Sequence, residues 1–380
     1  MGAFAIAGAG PGGLAAAILL RRAGHDVSVF ERAPALRLGG GALALWPHGT
    51  RALATLLGEA TARALGPTYD RARIRRWDGA LVHDLPIAAH AAHYGGWLMA
   101  VDRGGLIAAL GAAAGQVTFG REVVGFERRA HEVNVSFADG AHADFEALIG
   151  ADGFGSNVRN ALGAEGTERP AGMTAWLGAS ASRATGPRCT TTFEGQGRRF
   201  LHLPHPGGAW WYAYTHDSLG VADARTLRHA FRHFPALVVD TIEDTPSDSL
   251  LRFSLRDRPP DDVWGQGRVT LLGDAAHACT PDLGQGVCMA LEDAIALGNH
   301  LTDGPDVELQ LRAYEAERRP RTAGLQRASW AISQASFAGS DIACQLRDAA
   351  FAAAPDAALL AAFGAMFSAP QAGTGTTEPK

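Results

Sequence analysis

Three glycines near the N-terminus are spaced to hold a phosphate. Gly8, Gly10 and Gly13 form a G-x-G-x-x-G in the run Gly8-Ala9-Gly10-Pro11-Gly12-Gly13, directly after the apolar run Ala3–Ala7. Gly8 permits a tight turn, Gly10 lets backbone approach a pyrophosphate, and Gly13 lets a helix pack closely on its strand. A helix over residues 11–23 starts at Pro11, where a missing N–H costs nothing. Its free N–H groups and positive dipole end face the phosphates. Glu31, followed by Arg32, ends the next strand, 27–31. A carboxylate there can accept a hydrogen bond from an adenosine ribose. This unit binds an adenine dinucleotide but does not choose between FAD and NAD.

A second segment makes that choice. Residues 268–273 read as a buried strand whose end presents Asp274. Ala275-Ala276-His277 follows, then Pro281-Asp282-Leu283-Gly284-Gln285-Gly286, then a helix with Glu292 and Asp293. Gly284 and Gly286 allow main-chain N–H groups to sit close to a flat ring. The helix beginning there points its positive end at that ring. A reduced flavin carries negative charge near N1, which such an end can hold. Asp274 can bind ribityl or pyrophosphate-side hydroxyls, so the cofactor expected is FAD.

These segments need a scaffold. At 380 residues the chain exceeds one simple core and suggests two joined domains. Apolar residues at 47% and charged residues at 19% are ordinary for a globular enzyme. A net charge of −5 gives no electrostatic case for nucleic acid or an anionic membrane. The apolar run 14–20 is too short to span a bilayer. It follows a glycine turn rather than a basic region, unlike a signal peptide, so a cytoplasmic location is expected. Cys189, Cys279, Cys288 and Cys344 include no Cys-x-x-Cys pair. Neither a metal site nor a redox dithiol is indicated.

Helices are expected over 47–57, 102–114 with Asp102 as N-cap, 227–241, 286–301, 307–336 interrupted at Pro320, and 356–367. Short strands are expected in 73–85, and a meander over 122–128, 131–137 and 145–150. Residues 173–214 are rich in Thr, Trp, Tyr and Phe and suggest a separate antiparallel sheet. The fold class is therefore α/β. A Rossmann-like FAD-binding domain (1–70, 102–168 and 265–305) carries an inserted antiparallel-sheet substrate domain (71–101 and 169–264). C-terminal helices (306–368) and a disordered tail (369–380) complete the chain.

The run Gly-Asp-Ala-Ala-His…Pro-Asp-Leu-Gly-Gln-Gly…Glu-Asp-Ala resembles the second FAD fingerprint of the group A flavoprotein monooxygenases, the para-hydroxybenzoate hydroxylase-like family. Three further segments are similar to that family, in the same order along the chain. They are Asp102-Arg103-Gly104-Gly105-Leu106, Gly150-Ala151-Asp152-Gly153 with Ser156 and Val158-Arg159, and Glu317-Arg318-Arg319-Pro320-Arg321. The resemblance covers about residues 3–325. It implies that Glu31 binds the adenosine ribose and that Arg103 reaches the FAD linker or flavin. Val123 would approach the adenine end, and Asp274 the ribityl or pyrophosphate. Pro281 and the stretch Gly284, Gln285, Gly286 and Val287 would frame the isoalloxazine. Asp152 would organise FAD and nicotinamide use, or serve as a turn Asp capping the helix near Ser156. Residues 39–46, which include Ala44, and then Pro47-His48-Gly49 are similar to the loop and helix that pass the flavin. His48 stands where close relatives usually have Asn. It is either a protonatable group at the reaction centre or a polar helix-start residue.

The middle sheet should line the substrate pocket. By resemblance to urate-hydroxylating members, Arg199 matches an Arg used on substrate, and Trp211 falls where they carry a working Tyr. That departure speaks against urate itself and for a larger, flatter or less acidic substrate. Arg199, His202, Trp211, Tyr212 and His48 are the candidates for substrate work. Plain sheet packing is the alternative for the aromatics, since only half of a strand's residues face one side.

The resemblance implies an FAD-dependent monooxygenase that uses NADPH or NADH and O2 to hydroxylate a small aromatic or heteroaromatic molecule through a flavin C4a-hydroperoxide. A monomer or homodimer is expected, with no nucleic acid or membrane partner. Rival readings are an epoxidase, a flavin-dependent halogenase or reductase on the same fold, and a non-catalytic flavoprotein.

Overall fold

A computed structural model describes residues 2–164, 166–181, 188–301, 306–336 and 340–367. The tail expected to be disordered, 369–380, lies outside the described residues. The strand Ala3–Ala7 runs through the middle of a six-stranded sheet. That sheet has the order Gly265–Gln266, Val269–Leu271, Ala147–Gly150, Ala3–Ala7, Asp26–Glu31 and Thr118–Phe119. All pairings are parallel except that of Gly265–Gln266 with Val269–Leu271. Phe4, Ala5, Ile6 and Ala7 are all buried. Such a strand has both faces covered and tolerates no polar residue. The helix Pro11–Arg22 packs between Gly286–His300 and Arg103–Ala114 on one side. A meander of Val123–Arg128, Val133–Phe137 and His142–Phe145 covers the other, with Phe137 edge-on to Phe30 at 4.7 Å. Register places Ala7 opposite both Phe30 and Gly150. Gly8, Glu31 and Ala151 therefore emerge together at one sheet edge.

A seven-stranded sheet has the order Leu251–Asp257, Arg169–Ser180, Gly208–His216, Arg198–His205, Cys189–Gly195, Arg71–Arg76 and Leu81–Pro86. Its pairs are antiparallel except for Cys189–Gly195 with Arg71–Arg76. One face packs Trp176, Phe200, Trp211 and Ala213 against two helices, Ala224–Phe231 and Ala236–Glu243. The opposite face carries Leu201, Leu203, Tyr212 and Tyr214.

The structure departs from the sequence expectations in several places. The third strand of the meander, expected over 145–150, is His142–Phe145, and Ala147–Gly150 pairs instead with Ala3–Ala7 in the parallel sheet. The helix expected over 227–241 is two helices, because Pro235 lacks an N–H and disfavours helical backbone before it. The first of them has a capping box, with Thr226 N donating to Asp223 Oδ1 at 2.7 Å and Asp223 N donating to Thr226 Oγ1 at 3.0 Å. Pro320, by contrast, does not interrupt Val307–Ser336, which is one continuous helix. Tyr314, Arg318 and Thr322 are buried around the proline and hold the helix across the missing N–H. A further helix, Asp341–Ala353, follows Ser340, whose hydroxyl accepts from Ala343 N at 3.2 Å.

The sheet edge and the late helices are tied together at Asp293. Its carboxylate is buried and accepts from Gly273 N (3.1 Å) and from Arg318 Nε (2.7 Å). His277 Nε2 lies 2.5 Å from its Oδ2. Burial works to raise this carboxyl's pKa, but His277 and Arg318 outweigh it and hold the group at about 2. Asp293→Asn should therefore destabilise the protein by roughly 3–5 kcal/mol, since it removes the buried charge set against Arg318 and His277. In the native protein this stabilisation is complete above the ordinary carboxylate pKa near 4 and is lost as pH falls toward about 2. Denaturant melts of both proteins at neutral pH and between pH 4 and 2 check both statements; equal stability at neutral pH would refute them.

Candidate functional site

At the edge of the parallel sheet the glycine turn does what its spacing predicts. Gly8 has φ of +100°, and a Cβ on it would lie 2.4 Å from the Ala151 carbonyl oxygen. A Cβ on Gly13 would lie 2.1 Å from the Gly8 carbonyl oxygen. Gly10 differs, because its φ of −75° suits any residue and a Cβ there would meet nothing within 4 Å. Nothing within the protein requires a glycine at that position, so the open space in front of it suits a close-lying ligand.

Glu31 closes the turn around this space. Its Oε2 accepts from Ala9 N and its Oε1 from Ala33 N, both at 2.9 Å. Sequence reading gave Glu31 a ligand role only; the hydrogen bond to Ala9 shows that it also shapes the glycine loop. Gly8, Glu31, Arg32, Val123 and Asp152 line a small cavity of about 40 Å3. Arg32 Nη1 stands 3.8 Å from Glu122 Oε1. Val123 begins its strand, and its carbonyl accepts from Asn157 Nδ2 at 3.0 Å. Asp152 Oδ2 accepts from Asn157 N (2.8 Å) and Val158 N (3.3 Å), whereas Oδ1 is buried without a partner. Burial pushes the Asp152 carboxyl pKa up. One oxygen thus caps the short helix Asn157–Ala161, together with Ser156, and the other is an acceptor with nothing to accept.

The second segment lies in line with the first. Gly273 (φ +64°) ends the strand and presents Asp274. The Asp274 side chain is solvent-accessible, yet the protein packed around it raises its carboxyl pKa. Pro281–Leu283 forms one tight turn, Gly284 has φ of +61°, and Gly286 opens the helix Gly286–His300. Trp46 Nε1 and Gln285 Nε2 both donate to the Leu283 carbonyl, at 3.0 and 3.2 Å. Gln285 Oε1 is buried without a partner. Val287 is half-buried against the core, and Ala44 lies in the strand Ala42–Leu45 opposite Ala100. Arg103 Nη1 donates to the carbonyls of Arg37 (2.9 Å) and Gly39 (2.6 Å), so it braces the loop before that strand. The open Gly10, the orphaned acceptors of Asp152 and Gln285, and the accessible Asp274 suit a polar, phosphate-bearing dinucleotide with a flat ring at its far end.

That far end opens into a cavity of about 1010 Å3 between Pro281–Leu283, the seven-stranded sheet and the C-terminal helices. The sheet contributes Thr190, Thr192, Glu194, Arg199, Leu201, Leu203 and Tyr214. Arg199 is buried. Its Nε donates to Glu194 Oε1 at 2.7 Å and its Nη1 to Asp282 Oδ1 at 3.0 Å. Burial would lower its pKa, but these two carboxylates hold it above the usual guanidinium value.

The structure brings Arg199 to the cavity and turns other candidates away from it. Trp211 is fully buried on the opposite face of the sheet, stacked 5.5 Å from Phe200, with its Nε1 donating to Thr245 Oγ1 at 2.9 Å. It therefore has no path to a ligand in the cavity. His202 shares that face, since it pairs across the ladder with Trp211. Tyr212 is on the cavity face, but its hydroxyl donates to the Ala42 carbonyl and ties the seven-stranded sheet to the strand Ala42–Leu45. His48 is buried beside Phe367, 5.8 Å between ring centroids, and does not line the cavity. Burial lowers its pKa to about 4, and neither ring nitrogen completes a hydrogen bond, although Gln285 lies close enough to favour the charged ring. A neutral ring packed in this way is a poor proton carrier at neutral pH. Asp282, by contrast, went unremarked among the sequence candidates. Its Oδ2 is buried without a partner at the head of the flavin segment.

Fold and site define a flavin-dependent oxygenase. The family described as FAD binding domain matches residues 3–329. The chain belongs to this family, the group A FAD-dependent monooxygenases. It is 34% identical to an aurachin C monooxygenase/isomerase of Stigmatella aurantiaca over 90% of this chain and 92% of that protein. It is 33% identical to an FAD-dependent urate hydroxylase of Klebsiella pneumoniae over 84% and 86%. The structure of Klebsiella pneumoniae HpxO complexed with FAD and uric acid superposes with a TM-score of 0.88, at 29% identity over 96% of both chains.

Substitutions at two positions separate the cofactor half of the site from the sheet behind it. Asp274→Ala should fold normally and lose most of its FAD, read as the flavin absorbance per protein after purification. Unchanged FAD content would remove Asp274 from the cofactor site. Trp211→Ala should cost roughly 3–5 kcal/mol in a denaturant melt, as large aromatic truncations in cores do. Trp211→Phe, which loses the bond to Thr245 and part of the indole's volume, should cost roughly 2 kcal/mol and leave KM unchanged. A raised KM in the Phe variant would return Trp211 to the substrate site.

Proposed function

We propose that this enzyme hydroxylates an uncharged aromatic or heteroaromatic ring that carries an O–H or N–H donor, using NAD(P)H and dioxygen. In the overall reaction a ring C–H becomes C–OH with one oxygen atom of O2. The other atom leaves as water, and the two electrons needed come from NAD(P)H. FAD, when bound, accepts those electrons and activates the dioxygen. Glu31, Asp152, Gly10, Asp274 and the turn from Pro281 to Gly286 would hold it. Everything else falls to the protein as binding, orientation and exclusion of water.

The observation that carries the substrate class is the charge arrangement around Arg199. Each guanidinium on the cavity wall is already matched: Arg73 with Asp84, Arg199 with Glu194 and Asp282, and Arg321 with Glu292. Among the described residues that line this cavity, no cation lacks a carboxylate partner. What remains is acceptor capacity, because Asp282 Oδ2 is buried without a hydrogen-bond partner, whereas Glu194 Oε2 already faces Arg347 Nη1 at 3.6 Å. A ring O–H or N–H directed at Asp282 would complete that carboxylate. Withdrawal of its proton would enrich the ring in electrons, as electrophilic oxygenation requires. Arg199 holds Asp282 in place for this. The apolar walls, including Leu201 and Leu203, keep water out.

A screen of neutral phenols and hydroxylated heteroaromatics beside their carboxylated counterparts tests the reading. Stimulated NAD(P)H oxidation and a product with one added oxygen are expected from the neutral set; a response confined to carboxylates would overturn it. With any neutral substrate so found, Asp282→Asn should keep its FAD and lose at least about a hundredfold in kcat, the usual scale of a lost general base. Undiminished kcat would show that Asp282 does not take the proton.

A further inference from the structure

Resting on that reading, we infer that the ring substrate carries a long apolar chain, and that the C-terminal helices form the compartment that receives it. The cavity extends well past the turn that would frame the flavin ring. Pro281, Leu283 and Gly284 line only one part of its roughly 1010 Å3, and drug-sized ligands occupy roughly 300–1,000 Å3. Polar groups line the cavity where the sheet meets Asp282 and, on the late helix, at Glu317 and Arg321, whose Nη2 donates to the Met366 carbonyl at 2.9 Å. From there the same cavity continues along Ala328 and Ile332 of the helix Val307–Ser336, Phe351 of Asp341–Ala353, and Leu359 and Phe363 of Asp356–Phe367. A single continuous space thus has a polar end sized for a ring and an apolar end with no ring-specific feature.

The helix Asp356–Phe367 supplies an independent observation. After Asp356 it contains no polar side chain. A helix that is apolar on every side is normally buried on every side. Here only Gly364 and Phe367 are buried, while Leu359, Ala362, Phe363, Ala365 and Met366 face the cavity. Ile332 on the neighbouring helix is likewise 36% exposed. Lipophilic side chains in this number, turned toward one open space that is continuous with the catalytic end, need an apolar occupant. An alkyl or isoprenoid-like chain attached to the ring fits both ends at once. It would also bring the ring to Asp282 in one orientation, because the chain can leave in only one direction.

The test uses the FAD-loaded enzyme and a series of 4-alkylphenols from methyl to octyl as probes. Binding is read by calorimetry and turnover by NAD(P)H oxidation. Affinity should rise about threefold to fourfold for each methylene that enters the compartment. Ile332→Asp and, separately, Leu359→Asp should cut the preference for octylphenol over methylphenol at least tenfold; the use of two sites guards against one variant that fails to fold. Affinity independent of chain length would overturn the inference, and methylphenol turnover in that case would leave the oxygenase reading standing. Steep chain-length dependence of binding without NAD(P)H oxidation by any phenol would support the compartment and count against the proposed ring chemistry. Should the protein instead float with phosphatidylcholine vesicles, or dimerise with rising concentration, and show no chain-length dependence, the apolar helices cover a bilayer or a second copy and the inference fails.

Discussion

The buried carboxylate of Asp293 is the constraint on which the site depends. Three parts of the chain that are far apart in sequence meet on it. They are the end of a central strand at Gly273, the short helix at His277, and the long late helix at Arg318. Arg318 and Arg321 also grip the neighbouring Glu292. A carboxylate in such surroundings accepts little freedom of position, because each displaced partner would leave a buried charge uncompensated. The turn from Pro281 to Gly286 lies between these anchors. Its placement relative to the glycine loop at Gly8 is thus set from beneath by ion pairs rather than by the turn's own sequence. The same network explains why Pro320 lies inside a continuous helix: Arg318 and Arg321 flank it and are both held.

A similar logic governs the substrate end, with a different result. Arg199 is also buried between carboxylates, but one of its partners is not saturated, since Asp282 Oδ2 has no hydrogen-bond partner. At Asp293 the charges are closed on one another and do structural work. At Arg199 the cluster leaves an acceptor turned toward empty space. Unpaired acceptor capacity in a buried site is costly for stability and is usually kept where a ligand completes it.

Much of this was legible in the sequence. The glycine spacing, the acid at Glu31 and the run from Gly273 to Asp293 each carry their geometry locally, because turns and helix starts depend on a few adjacent residues. Other features depend on contacts between distant segments and were not legible. His48 reads as either a protonatable group at the reaction centre or a polar residue at a helix start, and only the packing of Phe367 from the far end of the chain shows that it is enclosed and neutral. Two helices replaced one at Pro235, where local chemistry should have decided, whereas at Pro320 tertiary contacts overrode the same chemistry.

The placement of Trp211 follows from strand alternation once one neighbour is located. Neighbouring residues of a strand point to opposite faces, so Trp211 and Tyr212 could not both reach one ligand. Once Arg199 is placed at the cavity, alternation assigns Leu201 and Leu203 to the same wall. Antiparallel pairing of Arg199 with Tyr214 and of Leu201 with Tyr212 then places those tyrosines on that wall too, and Trp211 behind it. Thr190, Thr192 and Glu194 follow by the same period of two. The apolar helices at the C-terminus allow no such deduction. Their composition says only that they want apolar company, and it took the cavity to show that the protein alone does not provide enough of it.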